Sequence, residues 1–260
     1  MKKLALYLLV GAALVGCGGD DDSDFSSNPS PNPNIKLLPG IYSGVTNEGE
    51  YLEGLVDDNN RMWFTYFADE EGYLGFVRSN DSIVLNNSKF NASGKNYSFD
   101  NRVSRSITIN GDVKTSKAIV GTFDESGSGK ISYNLGYDEA LSNKKHTLNM
   151  LDGQIINVDL HRTGTSESID TTLTFTTDGK FTGFDNSSCM LTGKLTPAAS
   201  GRYFVSTMTF SGSACSSAGY EVGQTYAGVA LINRQNDLKL LSTDSMKNKS
   251  VAFIGSLNVS

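Results

Sequence analysis

Nucleophilic or acid–base catalysis at neutral pH leans first on histidine, and the chain holds two, His146 and His161. His161 follows Asp159 in a serine-rich sequence, so the ingredients of a Ser-His-Asp relay exist. No Gly-x-Ser-x-Gly elbow or His-Glu-x-x-His pair accompanies it, however. Ile155 to His161 alternates apolar and polar residues, which makes His161 the end of a strand. His146, in Lys144-Lys145-His146, reads as part of a solvated connector. Gly127-Ser128-Gly129-Lys130 mimics part of a phosphate loop, but the spacing before it is wrong and no helix pattern follows. Asp57-Asp58-Asn59-Asn60 offers clustered oxygens of the kind calcium takes, yet these are also turn-forming residues between two β runs. The sequence therefore predicts no catalytic residue, no metal ligand and no cofactor, and a non-enzymatic protein.

The cysteines carry a different chemistry. Met1-Lys2-Lys3 is a short basic stretch, and Leu4 to Val15 is apolar but shorter than the ~20 residues a membrane-spanning helix needs. It runs into Leu14-Val15-Gly16-Cys17, which resembles the lipobox of bacterial lipoproteins. That resemblance implies a diacylglyceryl group on Cys17, cleavage before it and removal of residues 1–16 as a signal peptide. Two or three acyl chains anchor a protein durably, since each buried CH₂ contributes ~0.8 kcal/mol. Gly18 follows the cysteine; the resemblance then implies the outer membrane, because aspartate there goes with inner-membrane retention. Residues 17–37 contain Asp20-Asp21-Asp22-Ser23-Asp24 and Pro29, Pro31 and Pro33, a composition with little to bury. They are expected to be a disordered, lipid-anchored stalk. The acidic run also suits a sorting signal.

With Cys17 used by lipid, Cys189 and Cys215 remain as an even pair in an oxidising compartment. A disulfide is predicted; the alternatives are two buried thiols or a metal pair. Without Lys2 and Lys3 the chain keeps 20 basic against 28 acidic residues, a net charge of −8. No basic cluster stands out, so nucleic acid is not an expected partner.

The elements that position these residues read as almost all β. Tyr51–Val56 and Met62–Phe67 flank the Asp57–Asn60 turn, a hairpin. Leu74–Val77 and Ser82–Leu85 look like the next pair, and residues 86–104 like a long irregular loop with at most one helical turn. Asn110-Gly111 favours a turn or a return after a strand. Tyr137–Lys145 is the main helix-like piece and marks a domain boundary. In the second half, Thr171–Thr176 meets Lys180–Phe184 across Thr177-Asp178-Gly179, and Cys189–Leu195 meets Tyr203–Phe210. The expected fold is all-β: two small antiparallel barrel or sandwich-like domains, 38–145 and 146–260, after the stalk. Trp63, Phe64, Tyr66 and Phe67 form the densest aromatic run. Alternation puts Trp63 and Phe67 on one face and Phe64 and Tyr66 on the other. One face belongs to the core, and the other is either a partner-binding surface or a contact with the second domain.

Gly40-x-Tyr42-x-Gly44, Gly54-Leu55-Val56, Cys189-x-x-Thr192-Gly193 and the second cysteine after a Thr-x-Phe strand, together with the lipobox, resemble an uncharacterised group of proteobacterial two-domain β lipoproteins. The resemblance spans most of residues 38–260 and rests on turn glycines and cysteines. At the level of architecture the chain also looks like outer-membrane lipoproteins that bind host proteins. The implied function is an outer-membrane-anchored binding protein for a protein partner or small ligand, touching the membrane through its lipid. The alternative is a periplasmic immunity or inhibitor lipoprotein that neutralises an enzyme or toxin.

Overall fold

The computed structural model describes residues 37–69, 72–99, 104–163 and 168–257. The expected signal peptide, Cys17 and all of the expected stalk but Leu37 lie outside the described residues. Leu37, assigned above to the linker, belongs to the folded part: it is 3% exposed and packs inside the first barrel.

Sixteen strands form two closed antiparallel barrels, each an eight-strand meander. The first comprises β1 (Gly40–Thr46), β2 (Tyr51–Val56), β3 (Met62–Ala68), β4 (Gly72–Ser79), β5 (Lys89–Ser98), β6 (Ser104–Thr115), β7 (Ala118–Glu125) and β8 (Gly129–Tyr137). It closes by pairing β1 with β8, Tyr42 opposite Tyr137. The second comprises β9 (Ile155–Arg162), β10 (Ile169–Phe175), β11 (Lys180–Asp185), β12 (Met190–Pro197), β13 (Phe204–Ser211), β14 (Thr225–Ile232), β15 (Asp237–Thr243) and β16 (Ser250–Ser256). It closes through β16 and β9, Phe253 opposite Leu160. Closure leaves neither sheet an unpaired edge. The helix-like piece is α1 (Glu139–Asn143), capped by Asp138 accepting from Leu141 N–H, and it lies in the connection between barrels.

Each barrel fills its interior with alternate residues of its strands. Phe64, Ile109, Ile119 and Leu135 are among those in the first; Leu173, Phe181, Phe204 and Phe253 are among those in the second. Large rings fit because glycine stands opposite them. Phe90 pairs with Gly111, and a Cβ there would lie 2.2 Å from its ring; Phe181 and Gly193 repeat the device.

A third apolar core lies between the barrels. Ile41, Leu55, Trp63, Phe76 and Tyr97 of the first meet Val229, Leu231, Leu241, Ala252 and Ile254 of the second. β2–β4 and β14–β16, which supply most of it, are buried on both faces over much of their length. β9 to β11 are not, and they alternate cleanly, with Asp170, Thr172, Thr174, Lys180 and Thr182 facing outward and exposed.

Three local expectations change. Residues 86–104 contain strand β5, not a loop: its inward series is Phe90, Ala92, Gly94 and Asn96, too small and polar to show as a strand in sequence. Ser82–Leu85 is the actual loop, with Ile83 tucked in and Val84 79% exposed. Asn110-Gly111 runs through the middle of β6, where Gly111 makes room for Phe90.

Candidate functional site

The aromatic run of β3 is not an open surface. Trp63 faces the second barrel and is 1% exposed, its Nε1 donating to Asp57 Oδ2 at 3.2 Å. Phe64 is fully buried inside the first barrel. Phe67 lies against Tyr51 and Tyr73, with ring centroids 5.3 Å away in each case. Neither Trp63 nor Phe64 has surface to offer a partner, because β3 is covered on both sides. Tyr66 differs: it reaches a cavity.

That cavity, of about 260 Å³, opens at the end of the first barrel where β1, β3, β5 and β7 finish and β2, β4, β6 and β8 begin. Leu52, Val77, Ile107 and Phe123 supply apolar wall, alternate inward positions of four strands. A chain of hydrogen bonds runs across the rim. Tyr66 Oη donates to Asn96 Oδ1 (2.9 Å), Asn96 Nδ2 donates to Glu125 Oε2 (3.0 Å), and Arg105 Nη1 donates to Glu125 Oε1 (2.6 Å) and Ser128 Oγ (3.3 Å). Burial drives the Tyr66 phenol well above its ordinary pKa, with Glu50 and Glu125 nearby pushing the same way against the Asn96 hydrogen bond. It therefore stays a neutral donor. Burial alone would raise Glu125, but hydrogen bonds from Asn96 and Arg105 outweigh it and hold the carboxyl below the usual range, ionised. The rim is thus pre-organised: each of these polar groups is fixed by its neighbour before any ligand arrives.

Among these rim residues Tyr66 alone stands out in the sequence as a binding candidate. Asn96 fell in the supposed loop, while Arg105 and Glu125 are unremarkable charges until barrel closure brings them together. Ser128, of the phosphate-loop mimic, sits in the turn between β7 and β8 and joins the rim.

The other singled-out residues do not line this cavity. Cys189 and Cys215 form a disulfide with Cα atoms 4.4 Å apart, bridging the start of β12 to α2 (Ser213–Ser217) just beyond β13. It ties the open end of that hairpin. His146 is not solvated: it is 1% exposed, and its Nε2 accepts the Ile232 N–H at 3.1 Å. Its Nδ1 faces Lys144 O at 3.3 Å, so Nδ1 carries the proton. Burial lowers its pKa to about 4. His161 stacks on Phe99, centroids 4.2 Å apart. Asp57 Oδ1 accepts from the Asn59 and Arg61 N–H groups, closing the hairpin turn from within. Among the described residues no three His, Cys, Asp or Glu side chains converge as a metal site, and no helix is long and apolar enough to cross a membrane.

No protein-family model and no curated protein matches the sequence. Solved structures include a similar chain from Bacteroides fragilis, described as a "putative outer membrane protein", which is 11% identical over 85% of this chain and 97% of its own. The TM-score is 0.27, a likeness from which neither fold nor function transfers.

Proposed function

We propose that this protein is held at the outer membrane by lipid on Cys17 and binds a small molecule in the mouth of its first barrel without transforming it. The cavity carries the reading. Apolar walls below a pre-bonded polar rim suit a ligand with an apolar body and one polar end, and barrel mouths are favoured places for such sites. Its volume of about 260 Å³ lies just below the common ~300–1,000 Å³ range, which favours a compact ligand. Both histidines being committed to packing supports binding over catalysis. The outer face of β9–β11 exposes Asp159, Asp170, Thr172, Thr174, Lys180 and Thr182 beside Ile155 and Phe184, a mixed surface and not a continuous lipid-facing apolar band, which supports attachment through a lipid anchor. The chain enters the first barrel at the end opposite the mouth, where Tyr42 Oη donates to Leu38 O.

The test is titration with the neutral fluorophore N-phenyl-1-naphthylamine. Saturable binding of one molecule per chain is expected. Ile131→Trp, at a half-buried position on the cavity wall, fills the entrance and should abolish it. No saturable binding to the wild type, or full binding by Ile131→Trp, would refute the reading.

A further inference from the structure

A second cavity lies between the barrels, remote from the mouth. It is a cleft of about 490 Å³ whose walls include Arg78 of β4, Thr225 of β14, Thr243 of β15, and Asp244, Ser245 and Lys247 of the following turn. Arg78 is 7% exposed. Its Nη1 donates to Thr243 Oγ1 at 2.6 Å, so the guanidinium end stands at the cleft wall. The guanidinium carbon lies 4.4 Å from the Trp63 ring centroid, which covers one face. Nε has no hydrogen-bond acceptor, and Arg78 forms no ion pair, among the described residues.

This is an unusual state for a buried cation. A charge withdrawn from water is normally matched by an opposite charge. Asp57 and Asp81 are near enough to influence Arg78 but form no ion pair with it. Asp57 instead pairs with Arg61, and Asp81 lies 3.7 Å from Lys247. Asp244 lines the cleft, but its Oδ1 accepts the Asn248 and Lys249 N–H groups. The Trp63 ring face, the Thr243 hydroxyl and the Tyr97 phenol beside it stabilise Arg78 without neutralising it. Around it the cleft presents the hydroxyls of Thr225, Thr243 and Ser245 and the Lys247 ammonium, which donates to Asn80 O at 2.8 Å.

We infer that this cleft binds a compact oxyanion, a phosphate or carboxylate group, with the Arg78 guanidinium as its anchor and the neighbouring hydroxyls and Lys247 as supporting donors. A planar guanidinium offers paired N–H groups to such an anion. Because the walls come from both barrels, the anion would also hold them together.

The experiment measures thermal unfolding and calorimetric binding of the mature chain with inorganic phosphate or acetate, each raised to about 10 mM with ionic strength held constant by sodium chloride. A saturable rise in melting temperature with one anion per chain is expected for phosphate, acetate or both; which one responds names the group. Arg78→Met should fold, since an apolar replacement of a buried charge is often tolerated, and should lose the response. Asp244→Asn keeps an oxygen for the turn, removes the one carboxylate in the cleft and should bind several-fold more tightly. No saturable rise in the wild type, a rise matched by chloride, or an unchanged response in Arg78→Met overturns the inference. Binding that is weaker or unaltered in Asp244→Asn places the anion elsewhere and overturns it too.

Discussion

The ion pair between Lys239 and Glu53 offers the sharpest test of how the two barrels are joined. Lys239 lies on β15 and Glu53 on β2, with Nζ 2.6 Å from Oε1. The lysine side chain is 1% exposed and the glutamate 14%. Lys239 also meets Thr65 Oγ1 at 3.4 Å and the Tyr73 ring at 4.9 Å. Glu53→Gln strands a charge with almost no access to water. Breaking a buried pair from one side costs about 3–5 kcal/mol. The Tyr73 ring offsets part of that, up to ~2 kcal/mol when desolvated, so a loss of about 3 kcal/mol is expected. Lys239→Met strands the carboxylate instead, which retains some water and should cost less, roughly 1–2 kcal/mol. Removing both charges in Glu53→Leu/Lys239→Met leaves an apolar contact and should return stability to within about 1 kcal/mol of the wild type.

Urea unfolding followed by circular dichroism and by Trp63 fluorescence measures all four proteins. Trp63 lies in the shared core, so its signal reports on the interface. The wild type should unfold in one transition by both probes, as a single cooperative unit does. Single variants within 0.5 kcal/mol of the wild type, in the ~0–1 kcal/mol range of exposed pairs, would refute the burial argument. So would a double variant no more stable than Glu53→Gln.

Two further predictions concern His146 and Cys17. His146 has a folded pKa of about 4 against 6.5 for the ordinary group; the unfolded chain takes up its proton first, so stability is full above pH 6.5 and falls as pH drops towards 4. That contribution is roughly 3 kcal/mol, and His146→Gln, measured by urea melts across that window, should flatten the slope; an unchanged slope would show that other groups cause it. Cys17→Ser should leave an uncut or soluble precursor in Triton X-114 partition, and a mature variant in the detergent phase would refute anchoring by that cysteine.

The strands most legible in the sequence are those with one wet face. Thr171-Thr172-Leu173-Thr174-Phe175 alternates because Thr171, Leu173 and Phe175 face the second barrel's interior while Thr172 and Thr174 face water. Leu238-Lys239-Leu240-Leu241 does not, because one side faces the barrel core and the other the first barrel. In β3 the run Met62-Trp63-Phe64 is likewise apolar without alternation, because both of its faces are covered. From sequence it allowed either a binding surface or a contact between domains for Trp63, and only the packing distinguishes them. β5 failed in the opposite sense: glycine and asparagine at inward positions hid a ten-residue strand.

The mouth was less legible than the barrel for a topological reason. Tyr66, Asn96, Arg105 and Glu125 sit on four different strands, and nothing in their local spacing connects them. They meet because a meander returns every second strand end to the same rim, and because closure of β1 on β8 curls that rim into a ring. Asn96 shows the coupling most directly. The alternation that defeats a strand reading of β5, placing a polar residue inward after Gly94, is what puts an amide between Tyr66 and Glu125. An apolar residue there would have made the strand obvious and broken the rim. The departure from the hydrophobic pattern and the candidate site therefore share one cause: an inward polar residue is tolerated in a barrel of this size where the interior opens to solvent and partners can satisfy it.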